Sequence, residues 1–477
     1  YNINIISNGN LGSVMKKYIK TIADSPVKTF AIVAAFFGLL TILVTPIFTG
    51  ADEEAHFIRA WGISNGQLLL TSKNDNQVTM PKAFRKTIGC LQNKIATRGN
   101  VYEYKYVNYG KQLPTTASCS LSIKVDNNDT EEIRASSASY SPVAYVPQLA
   151  AVYIGRIFNW PIFVIAYLMR IAVLIAYITL VCVAIKLLIN RKWALVGIAL
   201  LPHSLMQITN PGADYILFGA AAVLVASIIR SCQLAEDDYL VERKKILLTI
   251  LVSISLLMVT KGIFPGICFL PLIVFLAGVR KEIFMKILII ITALAAGVIW
   301  QKISLVTLPQ ANSPGLINLL VSFPKAFIKT MFYSWSNQDF IYKSIGLGLD
   351  NKVGLPSVAI SLMNMLVAFY IFVAVKAEEK IRSIKYFSWV AWVVAVAIVV
   401  GSFAAMHVMA YVLQSGDGII NGVQSRYFYP ALFILAIIPM RRYIYVKNER
   451  IYRNIIIVGS TVILTIHLLA IMVKYYS

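Results

Sequence analysis

The stretch FAIVAAFFGLLTILVTPIFT, residues 30–49, is an apolar run of membrane-spanning length. An α-helix needs about 20 apolar residues to cross roughly 30 Å of hydrocarbon. Similar runs recur along the chain, which has 477 residues, 58% of them hydrophobic and only 14% charged. The sequence therefore predicts an all-α polytopic membrane protein.

Runs of this kind predict about 11 transmembrane helices. They cover residues 30–49, 162–188, 193–209, 212–229, 246–262, 264–279, 285–303, 357–375, 387–406, 427–440 and 454–473. Basic clusters such as Lys186, Arg191 and Lys192 fall in loops of one parity, which the positive-inside bias makes cytoplasmic. Because this bias accounts for most of the net charge of +22, nucleic acid is not an expected partner.

The resulting topology has a cytoplasmic N-terminal segment, 1–29, and a single transmembrane domain, 30–477. Two extracytoplasmic loops are long, at residues 50–160 and 304–356, and both are expected to contain amphipathic helices. In the first loop, residues 142–158 are expected to form an interfacial helix, because its two prolines and two tyrosines suit the membrane surface.

The first long loop also contains two of the five cysteines, Cys90 and Cys119. A disulfide between them is compatible with a loop outside the cytoplasm, where thiols are oxidised. Five cysteines are too few for a disulfide scaffold or a cysteine metal site. The sequence leaves open whether the two form a bridge.

A dense polar cluster, ADEEAHFIRAW at residues 51–61, follows the first apolar run directly. If this segment is helical, Asp52, His56 and Arg59 lie on one face at i, i+4 and i+7. An acid, a titratable base and a fixed cation would then point the same way. The alternative is that the acids only solvate a helix end and interact with its dipole.

Four further polar residues are candidates for a site: three lie at the outer ends of predicted spans, and Arg170 lies below that face within the membrane. Arg170 lies inside an apolar run, where a charge needs either an acidic partner on another helix or a bound phosphate. Asp214 either caps a helix after a tight turn or belongs to a site. Lys261 and Arg426 either anchor helix ends at the interface or contact an anionic group.

Six motifs combine into a pattern. They are Asp52-Glu53-x-Ala55-His56-Phe57-x-Arg59-Ala60, Tyr140-Ser141-Pro142-x-x-Tyr145-x-Pro147, Arg170, Ala213-Asp214, Lys261-Gly262 and Gly422-x-Gln424-x-Arg426-Tyr427-Phe428-x-Pro430. Together they resemble a bacterial family of multispanning proteins catalogued as DUF2142, over nearly the whole chain. Where that family usually carries prolines around its Asp-Glu pair, this chain has Ala51 and Glu54.

The family is similar in layout to GT-C glycosyltransferases, which implies a GT-C-like fold and a set of site residues. Asp52 is then the expected catalytic base, with Glu53 as second choice. The donor phosphate is expected to bind Arg426, assisted by Arg170 or Lys261. The expected substrate contacts are His56, Arg59, Tyr140, Tyr145, Asp214, Gln424 and Tyr427.

The resemblance implies inverting transfer of a sugar from a polyprenyl-phosphate-linked donor to an extracytoplasmic glycan or lipid acceptor of the cell envelope. The expected location is the bacterial inner membrane, with membrane lipid as a further partner. The sequence leaves open whether a divalent metal, Mg or Mn, is a cofactor. A monophosphate donor often needs no metal, whereas a diphosphate donor more often does. The alternatives are a transporter or flippase of lipid-linked glycans, and a polysaccharide polymerase or ligase.

Overall fold

A computed structural model describes most of the chain. The described residues are 21–50, 52–70, 76–91, 96–98, 101–103, 119–137, 140–208, 210–234, 236–260, 266–276, 283–305, 355–375, 387–413, 425–438 and 444–476. The predicted cytoplasmic segment 1–29 lies mostly outside these ranges, and the helices expected in loop 304–356 fall almost wholly outside them.

The described residues are mostly helical. The helices are α1 Pro26–Val44, α2 Glu53–Ser64, α3 Lys82–Leu91, α4 Val146–Ile157, α5 Ile162–Leu187, α6 Lys192–Ala199, α7 Pro202–Ile208, α8 Asp214–Gln233, α9 Glu236–Thr260, α10 Leu270–Leu276, α11 Ile283–Leu305, α12 Ser357–Phe372, α13 Phe387–Leu413, α14 Tyr429–Ile437 and α15 Glu449–Tyr476. Short 3-10 helices at Pro142–Tyr145 and Ser425–Phe428 precede α4 and α14.

The predicted helical architecture is confirmed in its main part, and short strands accompany the helices. The strands are β1 Gln77–Pro81, β2 Ala96–Arg98, β3 Val101–Glu103, β4 Thr130–Arg134, β5 Val373–Val375 and β6 Ile444–Val446. β1 pairs antiparallel with β4, β2 pairs antiparallel with β3, and β5 runs parallel to β6. In β1, Val78 and Met80 are buried on one face, the period of two that defines a half-buried strand.

Among the described residues, five helices are long and apolar enough to cross a membrane: α1, α5, α8, α11 and α15. The predicted span 193–209 is instead divided into α6 and α7. The division falls just before Pro202, whose ring and missing N–H prevent an α-helix from continuing through it. Each half is too short to cross a bilayer alone.

The central helix of the bundle is α8, whose span is 89% buried. α5 packs against α1, α4 and α8. These helices approach closely at glycines: a Cβ atom on Gly155 would lie 2.3 Å from Ile165, and one on Gly38 would lie 2.6 Å from Leu174. Large apolar side chains on the outer faces, such as Phe36 and Phe284, are exposed, as expected of lipid-facing surfaces.

The described part of the first long loop is folded. Phe57 packs on Phe48 at a ring-centroid distance of 5.5 Å and stacks on Phe84 at 5.4 Å, which joins α2 to α3. Cys90 and Cys119 form a disulfide, with a Cα–Cα distance of 5.8 Å.

The segment expected to be interfacial, residues 142–158, is helical, as a 3-10 turn followed by α4. It exposes the apolar side chains of Val146, Ile157 and Phe158, whereas Gln148 faces inward and is fully buried. A short helix with an exposed apolar face is typical of a membrane surface.

Arg191 differs from its expected role as a cytoplasmic flanking charge. Its side chain is buried, and it donates hydrogen bonds to the carbonyl oxygens of Tyr370, Val373 and Ala436. These carbonyls lie at the C-terminal ends of α12 and α14, where the last turns of a helix lack internal donors. Arg191 therefore joins two helix ends inside the protein.

Candidate functional site

The site begins at Asp52, the residue that precedes the first turn of α2. Its φ of 59° places it in the left-handed region, which non-glycine residues rarely occupy. An aspartate in this position usually accepts hydrogen bonds from the first turn of its own helix, but Asp52 makes no such bond. Its side chain is 55% exposed.

The carboxylate of Asp52 instead contacts Arg426, which lies 374 residues further along the chain. Asp52 Oδ2 is 3.0 Å from Arg426 Nη2, and Asp214 Oδ2 is 3.1 Å from Arg426 Nη1. Arg426 and Asp214 are each only 2% exposed. Together with Asp52 they form a cluster, called the open cluster below, in which one buried cation joins two carboxylates.

Arg426 has hydrogen-bonding capacity beyond these two contacts. Its Nε atom is buried and has no partner among the described residues. A guanidinium carries five N–H groups, and the two ion pairs occupy two of them. The group lies 5.7 Å from the ring of Tyr427, and Tyr140 is close enough to interact with it electrostatically. The open cluster therefore offers donors that can bind an oxyanion.

A second ionic cluster lies one residue further along α2. Glu53 Oε1 and Oε2 lie 2.8 and 2.9 Å from Arg170 Nε and Nη2. Arg170 also donates to the carbonyls of Ile42, Thr45 and Pro46 at the end of α1. Both charged side chains are almost completely buried. We call this pair the closed cluster.

The closed cluster decides between the two interpretations of Arg170. The guanidinium is paired with an acid from another helix, and five hydrogen bonds occupy its N–H groups. The geometry thus gives Arg170 a structural partner and leaves no donor directed at a phosphate. Glu53, the second candidate for the base, is held in the same pair.

His56 belongs to the surroundings of the open cluster. Its Nδ1 atom is 2.7 Å from the hydroxyl of Tyr145, and its ring packs edge-on against Tyr140 at 5.0 Å. Burial raises the pKa of Tyr145 well above its ordinary value, and the nearby Tyr140 and Asp214 add to this effect. The phenol therefore stays protonated at neutral pH and can donate to His56.

The turn before α8 places Asp214. Gln148 of α4 donates from Nε2 to the carbonyls of Pro211 and Gly212, at 2.9 and 3.1 Å. A Cβ atom on Gly212 would lie only 3.2 Å from His56, so that glycine allows the close packing. Gln148 was not among the predicted site residues, although a lone amide within an apolar helix is a signal for a buried polar contact.

Arg59 lies on the predicted helix but does not join the site. Its guanidinium donates to the carbonyls of Gln67, Leu68 and Tyr140 at 2.8 to 3.3 Å. The side chain is buried, and desolvation lowers its pKa. Arg59 thus holds two loop segments against α2, and the expected common face of acid, base and cation is not formed.

The structure brings seven of the predicted residues into one region. They are Asp52, His56, Tyr140, Tyr145, Asp214, Arg426 and Tyr427. Glu53 and Arg170 form a separate pair, and Lys261 and Gln424 lie outside the described residues. Among the described residues, no group of three or more His, Cys, Asp or Glu side chains could hold a metal ion.

The long apolar helices and the buried ionic clusters between them define the class: a polytopic membrane protein with a polar centre. A family model described as predicted membrane protein (DUF2142) matches residues 35–435, and the chain belongs to that family. No curated protein and no solved structure matches the chain. The predicted membership of this family is confirmed.

Proposed function

We propose that this protein is a GT-C-type glycosyltransferase. It takes a sugar from a polyprenyl-phosphate carrier at the outer face of the bacterial inner membrane and passes it to a glycan or lipid acceptor. The observation that carries the proposal is the open cluster, in which the half-exposed carboxylate of Asp52 lies 3.0 Å from the buried guanidinium of Arg426. A base and a phosphate-binding cation are the two groups that this reaction requires.

Arg426 is the proposed ligand of the donor phosphate. The bond between the anomeric carbon and the phosphate oxygen breaks during transfer, and negative charge develops on the departing lipid phosphate. A buried cation whose Nε has no partner among the described residues stabilises that charge more strongly than it would in water. Asp214 holds the guanidinium in place from the other side.

Asp52 is the proposed base. It removes the proton from an acceptor hydroxyl as the hydroxyl oxygen attacks the anomeric carbon, and the configuration at that carbon inverts. Within the described residues its carboxylate contacts only Arg426. A donor phosphate that binds Arg426 competes for this contact and thereby frees the Asp52 carboxylate to face the acceptor.

His56 and Tyr145 are proposed to hold the residues of the open cluster in position. Their hydrogen bond of 2.7 Å fixes the His56 ring beside the turn that carries Asp214. Tyr140 and Tyr427 flank Arg426 and are placed to contact the sugar or its phosphate. The exposed apolar face of α4 is suited to lie against the membrane surface, where a polyprenyl chain would enter.

The experiment is a transfer assay with the purified protein in lipid nanodiscs and a radiolabelled polyprenyl-phosphate sugar. The readout is release of free polyprenyl phosphate, with and without a chelator of divalent metals. Asp52→Asn should lower release by about 10²–10⁴-fold, whereas the control Asp126→Asn, at an exposed aspartate of the same loop, should not change it. Normal turnover by Asp52→Asn would refute the base assignment.

A transporter of lipid-linked glycans is the second candidate, because the interrupted pair α6 and α7 is a feature that transporters use at their binding sites. It would need the same cation to hold a phosphate. Movement of the lipid-linked glycan across a vesicle membrane without any turnover would favour it. A polymerase or ligase shares the donor chemistry and differs in releasing a lengthened or ligated glycan.

A further inference from the structure

A polar cavity at the other end of α2 is not explained by the transfer site. It has a volume of about 240 Å³, and its lining includes Trp61, Asn65, Gln67, Asn127, Thr130 and Arg156. Sites for drug-sized ligands have volumes of about 300–1,000 Å³, so this cavity suits one small polar unit. The lining comes from α2, the turn after it, the first loop and α4.

Internal hydrogen bonds hold the cavity open. Arg156 donates to Asn65 Oδ1 at 2.6 Å and to Asn127 Oδ1 at 3.2 Å, and its guanidinium lies 5.4 Å from the centre of the Trp61 ring. Gln67 Oε1 accepts from the backbone N–H of Thr79 at 3.3 Å. The amide groups are therefore fixed in position before any ligand arrives.

Several donors in the lining remain available. The Nε2 atom of Gln67, the Nδ2 atom of Asn127 and the Nη2 atom of Arg156 make no hydrogen bond to described residues. The hydroxyl of Thr130 likewise has no partner within the described ranges. Amide and hydroxyl groups pair well with sugar hydroxyls, which both donate and accept.

We propose that this cavity binds one sugar unit of the glycan acceptor. The ligand class rests on the proposed function, because a transferase acting on glycans must hold its acceptor. The lining favours a sugar over an anion, since Arg156 is the one charged residue in it and its guanidinium already spans two amides. Sites for phosphate more often present several cations or a free bidentate fork.

The position of the cavity fits an acceptor that extends away from the reacting hydroxyl. Trp61 follows Asp52 by nine residues, which corresponds to about 13 Å along a helix at 1.5 Å per residue. A sugar in the cavity would thus belong to a unit of the acceptor beyond the one that reacts. The same helix would then connect the base to the acceptor subsite.

The test is saturation-transfer difference NMR on the full chain in nanodiscs. The probes are the methyl glycosides of glucose, galactose, N-acetylglucosamine and rhamnose, at millimolar concentration. At least one should receive saturation from the protein. The double variant Gln67→Met with Thr130→Val removes two polar contacts without changing side-chain size much, and it should weaken binding about tenfold or more.

Two variants serve as controls. Arg85→Ala removes an exposed cation of the same loop and should leave binding unchanged. Gln67→Glu keeps the acceptor that holds Thr79 but replaces the available donor with a negative charge. A neutral sugar should therefore bind more weakly than to the parent but better than to the double variant, whereas an anion should not bind. If inorganic phosphate displaces the sugar or is the one probe that binds, the cavity is an anion site and the proposal is wrong.

The remaining outcomes separate the subsite from the proposed function. If no glycoside binds, or if the double variant binds as well as the parent, the subsite is refuted even where transfer proceeds. Asp52→Asn should retain sugar binding, because the cavity does not contain Asp52. If binding is retained but no donor supports transfer, the proposed function fails and the saccharide site stands.

Discussion

Asp52 and Glu53 are neighbours in the chain, and each is paired with an arginine from a distant helix. Glu53 and Arg170 are both almost completely buried, with side chains no more than 1% exposed. Asp52 is 55% exposed, although its partner Arg426 is as deeply buried as Arg170. One pair is therefore closed to solvent and the other is open to it.

The two clusters show that a carboxylate–arginine pair of the same chemical type can either hold the fold together or form part of a binding site. In the closed cluster, five hydrogen bonds occupy the donors of Arg170, and three of them end at carbonyls where α1 stops. In the open cluster, Arg426 Nε has no partner among the described residues, and within the same residues Asp52 is held only by its contact with Arg426. Full satisfaction indicates a structural role, whereas incomplete satisfaction indicates a place for a ligand.

Asp52→Asn should produce the largest change. Loss of a general base lowers turnover by about 10²–10⁴-fold, and the amide cannot accept the acceptor proton. The melting temperature should change little, because asparagine keeps an oxygen that can accept from Arg426. Turnover and thermal melting are measured on the same nanodisc sample. A variant that loses both to the same extent would place Asp52 in the structural class with Glu53.

Glu53→Gln should mainly lower stability, whereas Asp52→Asn should mainly lower turnover. It leaves the charge of Arg170 buried without a counterion, which costs about 3–5 kcal/mol of stability in comparable pairs. The expected readout is a lower melting temperature and less monodisperse protein. As a control, Asp129→Asn removes an acid from the exposed pair with Lys82 and should have a much smaller effect.

A double variant tests the coupling within the closed cluster. Arg170→Met combined with Glu53→Gln should lose less stability than the sum of the two single changes, because each single change leaves the other partner without its counterpart. Strict additivity would contradict the assignment of the pair as one structural unit.

Arg426→Lys should have the next largest effect on turnover. Lysine keeps the positive charge but loses the planar fork that can hold Asp52, Asp214 and a phosphate oxygen together. Removal of one preorganised donor lowers kcat by about 10²–10³-fold. The same change at Arg170 should mainly reduce stability, so the pair of lysine variants compares the two clusters directly. Equal loss of melting temperature in both would remove the distinction between them.

The apolar runs predicted much of the fold. The run 454–473 lies within α15, and 162–188 matches α5 to within one residue, because long apolar composition is enough to specify a buried or lipid-facing helix. The run 193–209 was predicted as one span, but it forms two short helices that meet just before Pro202. Apolar composition alone does not show where a proline ends a helix. Short strands such as β1 leave a weaker signal, because each contains few residues.

The sequence predicted which residues belong to the candidate site, but it did not predict which acid forms an ion pair with which arginine. The sequence placed Asp52, Asp214 and Arg426 at the outer ends of three predicted spans, which put them on the same side of the membrane. It could not tell which of two adjacent acids pairs with which arginine. Asp52 adopts a positive φ whereas Glu53 begins α2, and a backbone conformation of this kind has no signature in residue type alone.

Tyr145→Phe should give the smallest loss of turnover. It also tests whether the hydrogen bond between Tyr145 and His56 supports the open cluster or only stabilises the fold, as the closed cluster does. The lost hydrogen bond is worth about 0.5–1.5 kcal/mol, so turnover should fall about two- to tenfold. Because the pKa of Tyr145 is raised well above its ordinary value, the phenol is protonated throughout the neutral range. The phenol should therefore add no pH dependence of its own to the ratio of parent to variant turnover between pH 6 and pH 9.

The same raised pKa fixes the sign of the stability effect in alkali. A phenol whose folded pKa lies above its unfolded value of about 10 contributes stability below that pH and loses it as pH rises through the folded pKa. The parent should thus lose stability above about pH 10 more steeply than Tyr145→Phe, as measured by thermal melting across pH. If the variant instead melts much lower than the parent at pH 7 with unchanged turnover, the hydrogen bond at His56 belongs with the structural contacts of the closed cluster.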